Sequence, residues 1–551
     1  LKLFFLNSQG GISWDETPKN DVGMIKALRG AGETGGSYLL ALVVLLPLLL
    51  LELTVYFLLF STLAVVTIFI TDDQSDGGWN KQREPSSAEQ AAAFRWLQRF
   101  RTKRSSGGRV SRVAMLQEVM SADLGGHLKE TAANSLTQEL VSEVCQSLEA
   151  SNLNSKVLKE LQRSFGESCL YLSGGGMLGM YHLGTVRRLL EEDLLPQHIC
   201  GTSVGSIVGA FVCTRTDAEL RKELEGLEEW YRQMGPLEGP FPVQYWEVVV
   251  RVLWRGYIYD YMNQYRNQAT FVSHGMTFAE AYERTGRTFT ITCAPVSGGP
   301  VVLLNRHTAP NVMIASAICA SSSMPMLVEA VRLLEKTGLD GSLRPWPGAT
   351  DLMRDGTMMA DSPCEQLQQM LNVRWSIISQ VNPHVVPFSL PFILAKRVSR
   401  FSGVFARSLS WTEGSLRRCI WSTLLAFQGW TNLPKEGSWI SQLLFQDYFG
   451  HVNIVHYEMR FKDYLRLIKN ETSLEDFRNK VSAAAACTEE QLPRYRLRKK
   501  VEASLELALQ NCCDETDAAM PNAAILLDRR KGAGVFHRRR GGAALRRSTR
   551  A

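Results

Sequence analysis

The sequence lacks the cysteine spacings on which disulfide-bonded and zinc-stabilised proteins depend. Its 11 cysteines are an odd number, and none of them forms a C-x-x-C pair. The neighbours Cys512 and Cys513 cannot make a zinc site alone. This pattern excludes a scaffold held together by disulfide bonds and gives no indication of a bound metal. It favours a compartment in which cysteine thiols stay reduced.

The chain also lacks a basic body, because its positive charge is local. The net charge is +6, but residues 529–551 contain nine Lys and Arg and no acidic residue, which leaves −3 for the remainder. The distribution predicts no nucleic-acid-binding body. It predicts a disordered basic tail, or one that is attracted to an anionic membrane or a nucleic acid.

The overall composition is that of a globular protein. With 45% hydrophobic and 21% charged residues, the chain is neither wholly disordered nor collagen-like. Its 551 residues allow roughly two to four domains. Because the sequence begins with Leu1 and not with Met, we expect it to be a fragment of its gene product.

One segment is too apolar for an ordinary globular protein. Residues 38–70 contain a single charge, Glu52, and a single proline, Pro47. A spanning helix needs about 20 residues, whereas this stretch would reach about 50 Å against a hydrocarbon core of about 30 Å. We therefore expect a membrane anchor, either a tilted helix or a hairpin. Basic residues on both sides favour the hairpin and place the rest of the chain in the cytoplasm.

Composition and periodicity divide the chain into seven segments. They are an N-terminal polar segment (1–37), the membrane anchor (38–70), a linker (71–90), a helical region (91–165), a segment that carries the motifs described next and is the expected catalytic domain (166–390), a helical C-terminal region (391–513) and a basic disordered tail (514–551). In residues 166–390, short apolar runs alternate with helical patterns, which predicts an α/β core with a mostly parallel sheet. The predicted strands are 169–173, 198–201, 288–294, 301–305 and 375–381, with a possible further strand at 451–456.

The most specific motif is a G-x-S-x-G pentapeptide. Residues 201–205 read GTSVG, after a short apolar strand and before an apolar helix. Such a motif places its serine on a tight strand-to-helix turn, with the hydroxyl exposed above the sheet. We therefore expect Ser203 to be a nucleophile between the motif glycines Gly201 and Gly205.

A glycine run precedes this motif. Residues 173–179 read SGGGMLG, after one strand and before one helix, where bare N–H groups bind an anion or a developing oxyanion. The spacing of Gly174, Gly176 and Gly179 also fits the dinucleotide fingerprint G-x-G-x-x-G. That fingerprint requires an acidic residue after a second strand, and here the acidic residues 191–193 lie at a helix end. An oxyanion hole fits better.

Together these motifs resemble the patatin-like phospholipase and lipase family. The similarity continues in its triacylglycerol-lipase branch, that of the plant sugar-dependent oil-body lipase and the yeast lipid-droplet lipases. The further segments that carry it are 180–184 (MYHLG), 277–287 (TFAEAYERTGR), 304–313 (LNRHTAPNVM), 315–325 (ASAICASSSMP) and 372–388 (NVRWSIISQVNPHVVPF). The resemblance spans roughly residues 90–513 and implies a three-layer patatin-like core.

The resemblance implies a Ser–Asp dyad, with the aspartate in an Asp-Gly turn. Downstream of Ser203 two such turns exist, one at Asp340 and one at Asp355, which is followed by Gly356. The second leads into the branch's pattern of Asp, Pro, helix and strand, so we expect Asp355 to be the general base. A Ser203–Asp355–His384 triad has the order of α/β-hydrolases, but the branch carries this histidine without using it.

The implied reaction is ester hydrolysis through an acyl-enzyme, without a cofactor. The expected oxyanion donors are the backbone N–H groups of Gly174, Gly175, Gly176 and Val204. The expected substrate is triacylglycerol, at a lipid-droplet or endoplasmic-reticulum surface.

Three alternatives to this reading stay open. The first is that the substrate is a phospholipid or lysophospholipid, which the motifs do not distinguish from triacylglycerol. The second is that the same acyl-enzyme transfers its acyl group to a lysophospholipid. None of the nine histidines has the H-x-x-x-x-D spacing of glycerolipid acyltransferases. An inactive lipid-droplet scaffold is the remote alternative, since it would predict loss of Ser203 or of the glycine run.

Overall fold

The computed structural model describes a large part of the chain. The described residues are 135–150, 153–234, 254–259, 262–325, 327–337, 341–358, 361–383, 450–456 and 473–518, with isolated positions from 94 to 120 and at 251, 385 and 448. The predicted membrane anchor (38–70) and linker (71–90) lie outside them. Among the described helices, none combines the length and apolar character needed to cross a membrane.

The described residues form a mixed sheet in which parallel pairs predominate. Its strands are β1 (Glu167–Leu172), β2 (His198–Gly201), β3 (Thr288–Pro295), β4 (Val302–Leu304), β7 (Met353–Asp355), β8 (Val373–Gln380) and β9 (Val452–Val455). A separate hairpin consists of β5 (Leu334–Thr337) and β6 (Ser342–Pro345).

The strand order brings two loops to one edge of the sheet. The order is β4-β3-β2-β1-β8-β9, with β7 paired to β3. The pairs that involve β1, β2, β8 and β9 are parallel, whereas β4 and β7 run antiparallel to β3. Leu172 of β1 is in register with Gly201 of β2, so both strands end side by side. Such carboxyl ends, where the strand order reverses, are where open α/β sheets bind ligands.

Helices connect the strands and flank them. They are α1 (Ser135–Ala150), α2 (Ser155–Phe165), α3 (Tyr181–Glu191), α4 (Val204–Cys213), α5 (Asp217–Glu225), α6 (Leu227–Met234), α7 (Met262–Ser273), α8 (Phe278–Thr285), α9 (Ile314–Ser321), α10 (Cys364–Leu371), α11 (Leu474–Glu489) and α12 (Leu492–Ala518).

Helices cover both faces of the sheet. Leu170 and Leu172 of β1 belong to the large core that includes α4 and α9. Cys169 and Tyr171 pack in a second cluster with Leu367 of α10. Because successive side chains of a strand point to opposite faces, both faces are buried. Burial on two faces explains why the strands read as continuous apolar runs.

Helices from both ends of the described chain complete the core. Arg498 of α12 is buried and donates to the carbonyl oxygens of Phe165 at 2.8 Å and Gly166 at 2.5 Å. Helix α11 packs on α3 so closely that a Cβ on Gly184 would lie 2.1 Å from the carbonyl oxygen of Val481. The C-terminal helices are therefore part of the same packed unit.

The α/β class and the mostly parallel sheet are confirmed. All six predicted strands are present, with ends within two residues of the predicted ones. Helix α12 reaches Ala518, so the first residues of the predicted disordered tail (514–551) are helical. The hairpin of β5 and β6 was not predicted.

Candidate active site

The candidate nucleophile lies on a sharp turn between β2 and α4. Ser203 immediately precedes Val204, the first residue of α4. Its backbone has φ +53° and ψ −125°, a region that residues with a side chain rarely occupy. Its N–H donates to Oγ of Ser321 at 2.9 Å, which ties the turn to the end of α9. This is the strained strand–turn–helix geometry that the G-x-S-x-G motif predicts.

The two motif glycines allow the backbone to pack closely around this turn. A Cβ on Gly205 would lie 2.0 Å from the carbonyl oxygen of Leu172. A Cβ on Gly201 would lie 2.4 Å from the carbonyl oxygen of Gly205. Both clashes are with backbone atoms, one at the edge of the sheet and one in the turn at residues 201–205, here called the elbow. Backbone atoms cannot rotate out of the way as a side chain can.

The glycine run after β1 lies directly beside the nucleophile. A Cβ on Gly174 would lie 3.3 Å from Cβ of Ser203. The next residue, Gly175, has a φ of +157°, and a Cβ there would approach the carbonyl oxygen of Val381 to 2.6 Å. The loop is thus wedged between the elbow and the end of β8, where side chains do not fit.

Two helices begin beside Ser203. Gly176 is the first residue of a 3₁₀ helix (Gly176–Met180), and Val204 is the first residue of α4. A Cβ on Gly179 would lie 2.3 Å from Cγ2 of Val204, so the two helices are in close contact. The first N–H groups of a helix have no partner within it. The N–H groups of Gly175, Gly176 and Val204 are therefore candidate donors to an oxyanion.

Gly174 differs from its prediction as an oxyanion donor. Its N–H donates to Oδ1 of Asp361 at 2.8 Å in the buried interior. That single hydrogen is already used, so Gly174 holds the loop in place while its neighbours are available to a ligand. The sequence predicted four donors, and the structure leaves three.

The candidate base ends β7. Asp355 is 1% exposed, and its N–H donates to the carbonyl oxygen of Ser323 at 3.1 Å. Its carboxylate accepts the N–H of Thr357 at 2.8 Å and lies in hydrogen-bonding reach of the Ser203 hydroxyl. Gly356 follows, where a Cβ would lie 2.6 Å from the carbonyl oxygen of Thr292. The Asp-Gly turn is therefore a packed part of the site, not a surface turn.

Burial changes the acidity of this carboxyl. It raises the pKa of Asp355 to about 6, and the hydrogen bonds from Thr357 and Ser203, which favour the ionised form, only partly offset that effect. A carboxylate of this pKa is ionised at neutral pH and is a stronger base than an ordinary aspartate. Both properties suit a general base.

The other predicted candidates cannot be compared directly with Asp355. Asp340 and His384 lie outside the described residues. Among the described histidines, His182 is buried and bonds Oγ of Ser379 at 2.8 Å and the carbonyl oxygen of Ser173 at 2.9 Å. Burial lowers the pKa of His182 to about 4, so the ring is neutral and supports the start of the glycine run.

The sequence interpretation assigned no role to Asp361. Its carboxylate is buried beside the glycine run and accepts the side-chain amide of Asn382 at 2.9 Å. The available signal was the family-like spacing of Asp361 and Pro363 after the Asp-Gly turn. That spacing did not reveal which segments the side chain would join.

Comparison with known protein families gives a match over part of this region. A profile of the patatin-like phospholipase family matches residues 170–350, which include the glycine run and Ser203 but end before Asp355.

The curated relatives are patatin-like phospholipase domain-containing proteins of fungi. The one from Yarrowia lipolytica is 38% identical over 259 residues, which are 46% of this chain and 30% of its own length. One from Pyricularia oryzae is 36% identical over 272 residues, covering 45% and 32%. One from Candida albicans is 36% identical over 234 residues, covering 42% and 27%. The chain thus spans about a third of the length of the curated relatives it matches.

Among solved structures, VipD from Legionella pneumophila aligns with 39% of this chain and 50% of its own, at 12% identity and a TM-score of 0.23. A likeness this weak supports no inference about fold or function.

Proposed function

We propose that this chain, whose residues 170–350 match a profile of the patatin-like phospholipase family, is a serine hydrolase that releases fatty acid from triacylglycerol. One observation carries the proposal: the hydroxyl of Ser203, on a strained turn, lies in hydrogen-bonding reach of the buried Asp355 carboxylate. A nucleophile paired with a base beside unpaired helix N-termini is the arrangement that acyl transfer requires.

The chemistry follows from these groups. Asp355 takes the proton of Ser203 as the hydroxyl oxygen attacks the ester carbonyl, and the proton then passes to the departing alcohol. The N–H groups of Gly175, Gly176 and Val204 stabilise the oxyanion of the tetrahedral intermediate. Water, activated by the same carboxylate, hydrolyses the acyl-enzyme and frees Ser203. No cofactor enters this scheme.

Triacylglycerol is the proposed substrate for two reasons. The sequence resembles the triacylglycerol-lipase branch in segments outside the two motifs, among them 277–287 and 304–313. The apolar segment 38–70 would hold the enzyme at a lipid-droplet or endoplasmic-reticulum surface, with the catalytic domain in the cytoplasm, where an insoluble ester is found.

Phospholipid is the second candidate substrate. The matching profile and the fungal relatives are described as patatin-like phospholipases, and this favours phospholipid as the ester class. The Ser203–Asp355 pair would cleave either ester by the same steps. The two candidates therefore share a mechanism and differ in the lipid that is bound.

The test is fatty-acid release from emulsified triolein and, in parallel, from phosphatidylcholine vesicles. We expect release from triolein that falls by about 10⁴-fold or more in Ser203→Ala and in Asp355→Asn. Ser342→Ala, on the exposed strand β6, and Asp351→Asn, four residues before Asp355, are the matched controls and should retain parent activity.

The outcomes separate the hypotheses. Release only from the vesicles would keep the mechanism and make the enzyme a phospholipase. Release that is equal in the parent and in Ser203→Ala, or absent from both, would overturn the hydrolase proposal.

A further inference from the structure

We propose that Asp361 is a positioning residue that fixes residues 174–176, here called the oxyanion loop, against the nucleophile turn. The catalytic consequence rests on the proposed function. The attachment of the oxyanion loop to Asp361, here called the tether, is a property of the fold and can be tested without an activity assay.

The side chain of Asp361 holds the loop from one side. Oδ1 accepts the N–H of Gly174 at 2.8 Å, and Oδ2 accepts the side-chain amide of Asn382 at 2.9 Å. Asp361 and Asn382 are each 1% exposed. Each carboxylate oxygen thus has its own donor, one from the loop and one from the segment after β8. A buried carboxylate is tolerated only where such donors replace its water.

The backbone of Asp361 holds the nucleophile from the other side. Its carbonyl oxygen accepts the hydroxyl of Thr202, the residue before Ser203, at 2.9 Å. Oγ1 of Thr202 is also 2.5 Å from Oγ1 of Thr292 on β3. Because the Thr202 hydrogen is already used, Thr292 is the donor in that second bond. One residue therefore connects the oxyanion loop with the neighbour of the nucleophile.

This connection sets the geometry on which an oxyanion hole depends. A run of three glycines has more conformational freedom than any other tripeptide. The hydrogen bond to Asp361 fixes the position of Gly174 beside Ser203. It thereby restricts the positions of the N–H groups of the next two residues, Gly175 and Gly176. A misplacement of about 1 Å in such a site can cost about 10²-fold in rate.

Asp355 acts on Asp361 through its charge. Burial and the charge of Asp355 raise the pKa of Asp361 to about 7, and Thr357 lies in hydrogen-bonding reach of both carboxylates. Two other ionisable groups among the described residues face the pair, the thiols of Cys200 on β2 and Cys293 on β3. Burial raises both thiol pKa values well above the ordinary range, so the thiols stay neutral.

The two carboxyls ionise in order. Asp355, whose pKa is about 6, loses its proton first, and Asp361, whose pKa is about 7, is still mostly neutral at that point. Neutralising position 361 should therefore leave the acidic limb of the kcat/KM profile near pH 6.

The experiment compares Asp361→Ala, Asp361→Asn and the control Asp351→Asn in the full chain. Alanine removes both acceptors, so we expect kcat to fall about 10²-fold with KM changed less than about threefold. Asparagine keeps an acceptor for the Gly174 N–H and can pair with a turned-over Asn382 amide. It should recover part of kcat, and its acidic limb should stay near pH 6. The control should match the parent.

Amide hydrogen exchange gives the readout that is independent of catalysis. The Gly174 amide should exchange slowly in the parent and in the control, and at least tenfold faster in Asp361→Ala. Unchanged exchange, or an unchanged kcat in a folded alanine variant, would overturn the proposal. If the alanine variant does not fold, Asp361→Asn decides instead. This variant keeps an acceptor for the Gly174 N–H, so exchange there that is tenfold faster than in the parent overturns the proposal. A parent without hydrolase activity refutes the proposed function. The rate of amide exchange at Gly174 would still test whether Asp361 holds the oxyanion loop.

Discussion

The backbone strain at Ser203 gives a prediction in which glycine and alanine reverse their usual order. Ser203→Ala and Ser203→Gly both remove the hydroxyl that bonds Asp355, so that loss is common to the two variants. They differ in how they tolerate φ +53° and ψ −125°. Alanine keeps the strain that the native serine has, whereas glycine occupies this region readily.

The size of the difference follows from two opposing terms. A residue held in such a region costs about 1–3 kcal/mol. Glycine loses more backbone entropy on folding, which costs about 0.5–1 kcal/mol relative to alanine. We therefore expect Ser203→Gly to have a free energy of unfolding about 0.5–2 kcal/mol greater than that of Ser203→Ala.

The matched control is the same pair of substitutions at Ser206. This residue lies inside α4, and its Oγ donates to the carbonyl oxygen of Ser203 at 2.5 Å. Both Ser206 variants lose that bond equally. In a helix glycine is about 1 kcal/mol less stable than alanine, so here alanine should be the more stable variant.

Urea denaturation of all four variants, followed by tryptophan fluorescence, measures both differences. The comparison requires equal m-values, because a changed slope would indicate a changed unfolded state. If Ser203→Ala equals or exceeds Ser203→Gly in stability while the Ser206 pair shows the ordinary order, the strain argument is refuted.

Three further predictions concern the base and the elbow. The kcat/KM of the parent should halve near pH 6 as the pH falls, because Asp355, whose pKa burial raises to about 6, must be ionised; a pH–rate profile checks this. In the folded protein the pKa of Asp355 is about 6, above its ordinary value of 3.8. The contribution of this carboxyl to the free energy of unfolding is therefore fully present below pH 3.8 and is lost as the pH rises through about 6. The melting temperature of Asp355→Asn relative to the parent should therefore be higher at pH 8 than at pH 4. Gly205→Ala should lower the free energy of unfolding by more than about 2 kcal/mol, because its Cβ would lie 2.0 Å from the carbonyl oxygen of Leu172. Gly226→Ala, whose Cβ would have no atom within 3.4 Å, should not lower it, and denaturation measures both variants.

The strands and the elbow could be predicted from sequence because each depends on a local pattern. A strand buried on both faces is a short apolar run between turns, as at β2 and β3. The elbow adds two glycines at fixed spacing around Ser203. The strands β5, β6 and β7 have no such pattern: β6 is mostly exposed, and β7 has three residues that end in Asp355.

The roles within the glycine run could not be assigned from sequence. Which N–H groups are available depends on tertiary partners, and Gly174 is bonded by Asp361, 187 residues further along the chain. Likewise, the basicity of Asp355 depends on burial, which no local spacing reveals. The pattern of Asp, Gly and Pro led to the turn at Asp355 but not to the network around it.

The close contact of α3 with α11 has a consequence for biosynthesis. Helix α3 follows the oxyanion loop, and Gly184 on it rests on the backbone of Val481. Strand β9 also joins the sheet edge at β8 only after a long intervening segment. After Asp361 has been added to the growing chain, 120 residues must still be synthesised before Val481 exists.

At about 5–20 residues per second this interval lasts about 6–24 s. During it the nascent sheet has an unpaired edge at β8 and α3 has an uncovered face. Both are features that promote association between incomplete chains. A protein stopped at residue 390 would keep that exposed edge permanently. Recombinant versions of this protein should therefore extend through α12 and not end at residue 350, where the match to the family profile ends.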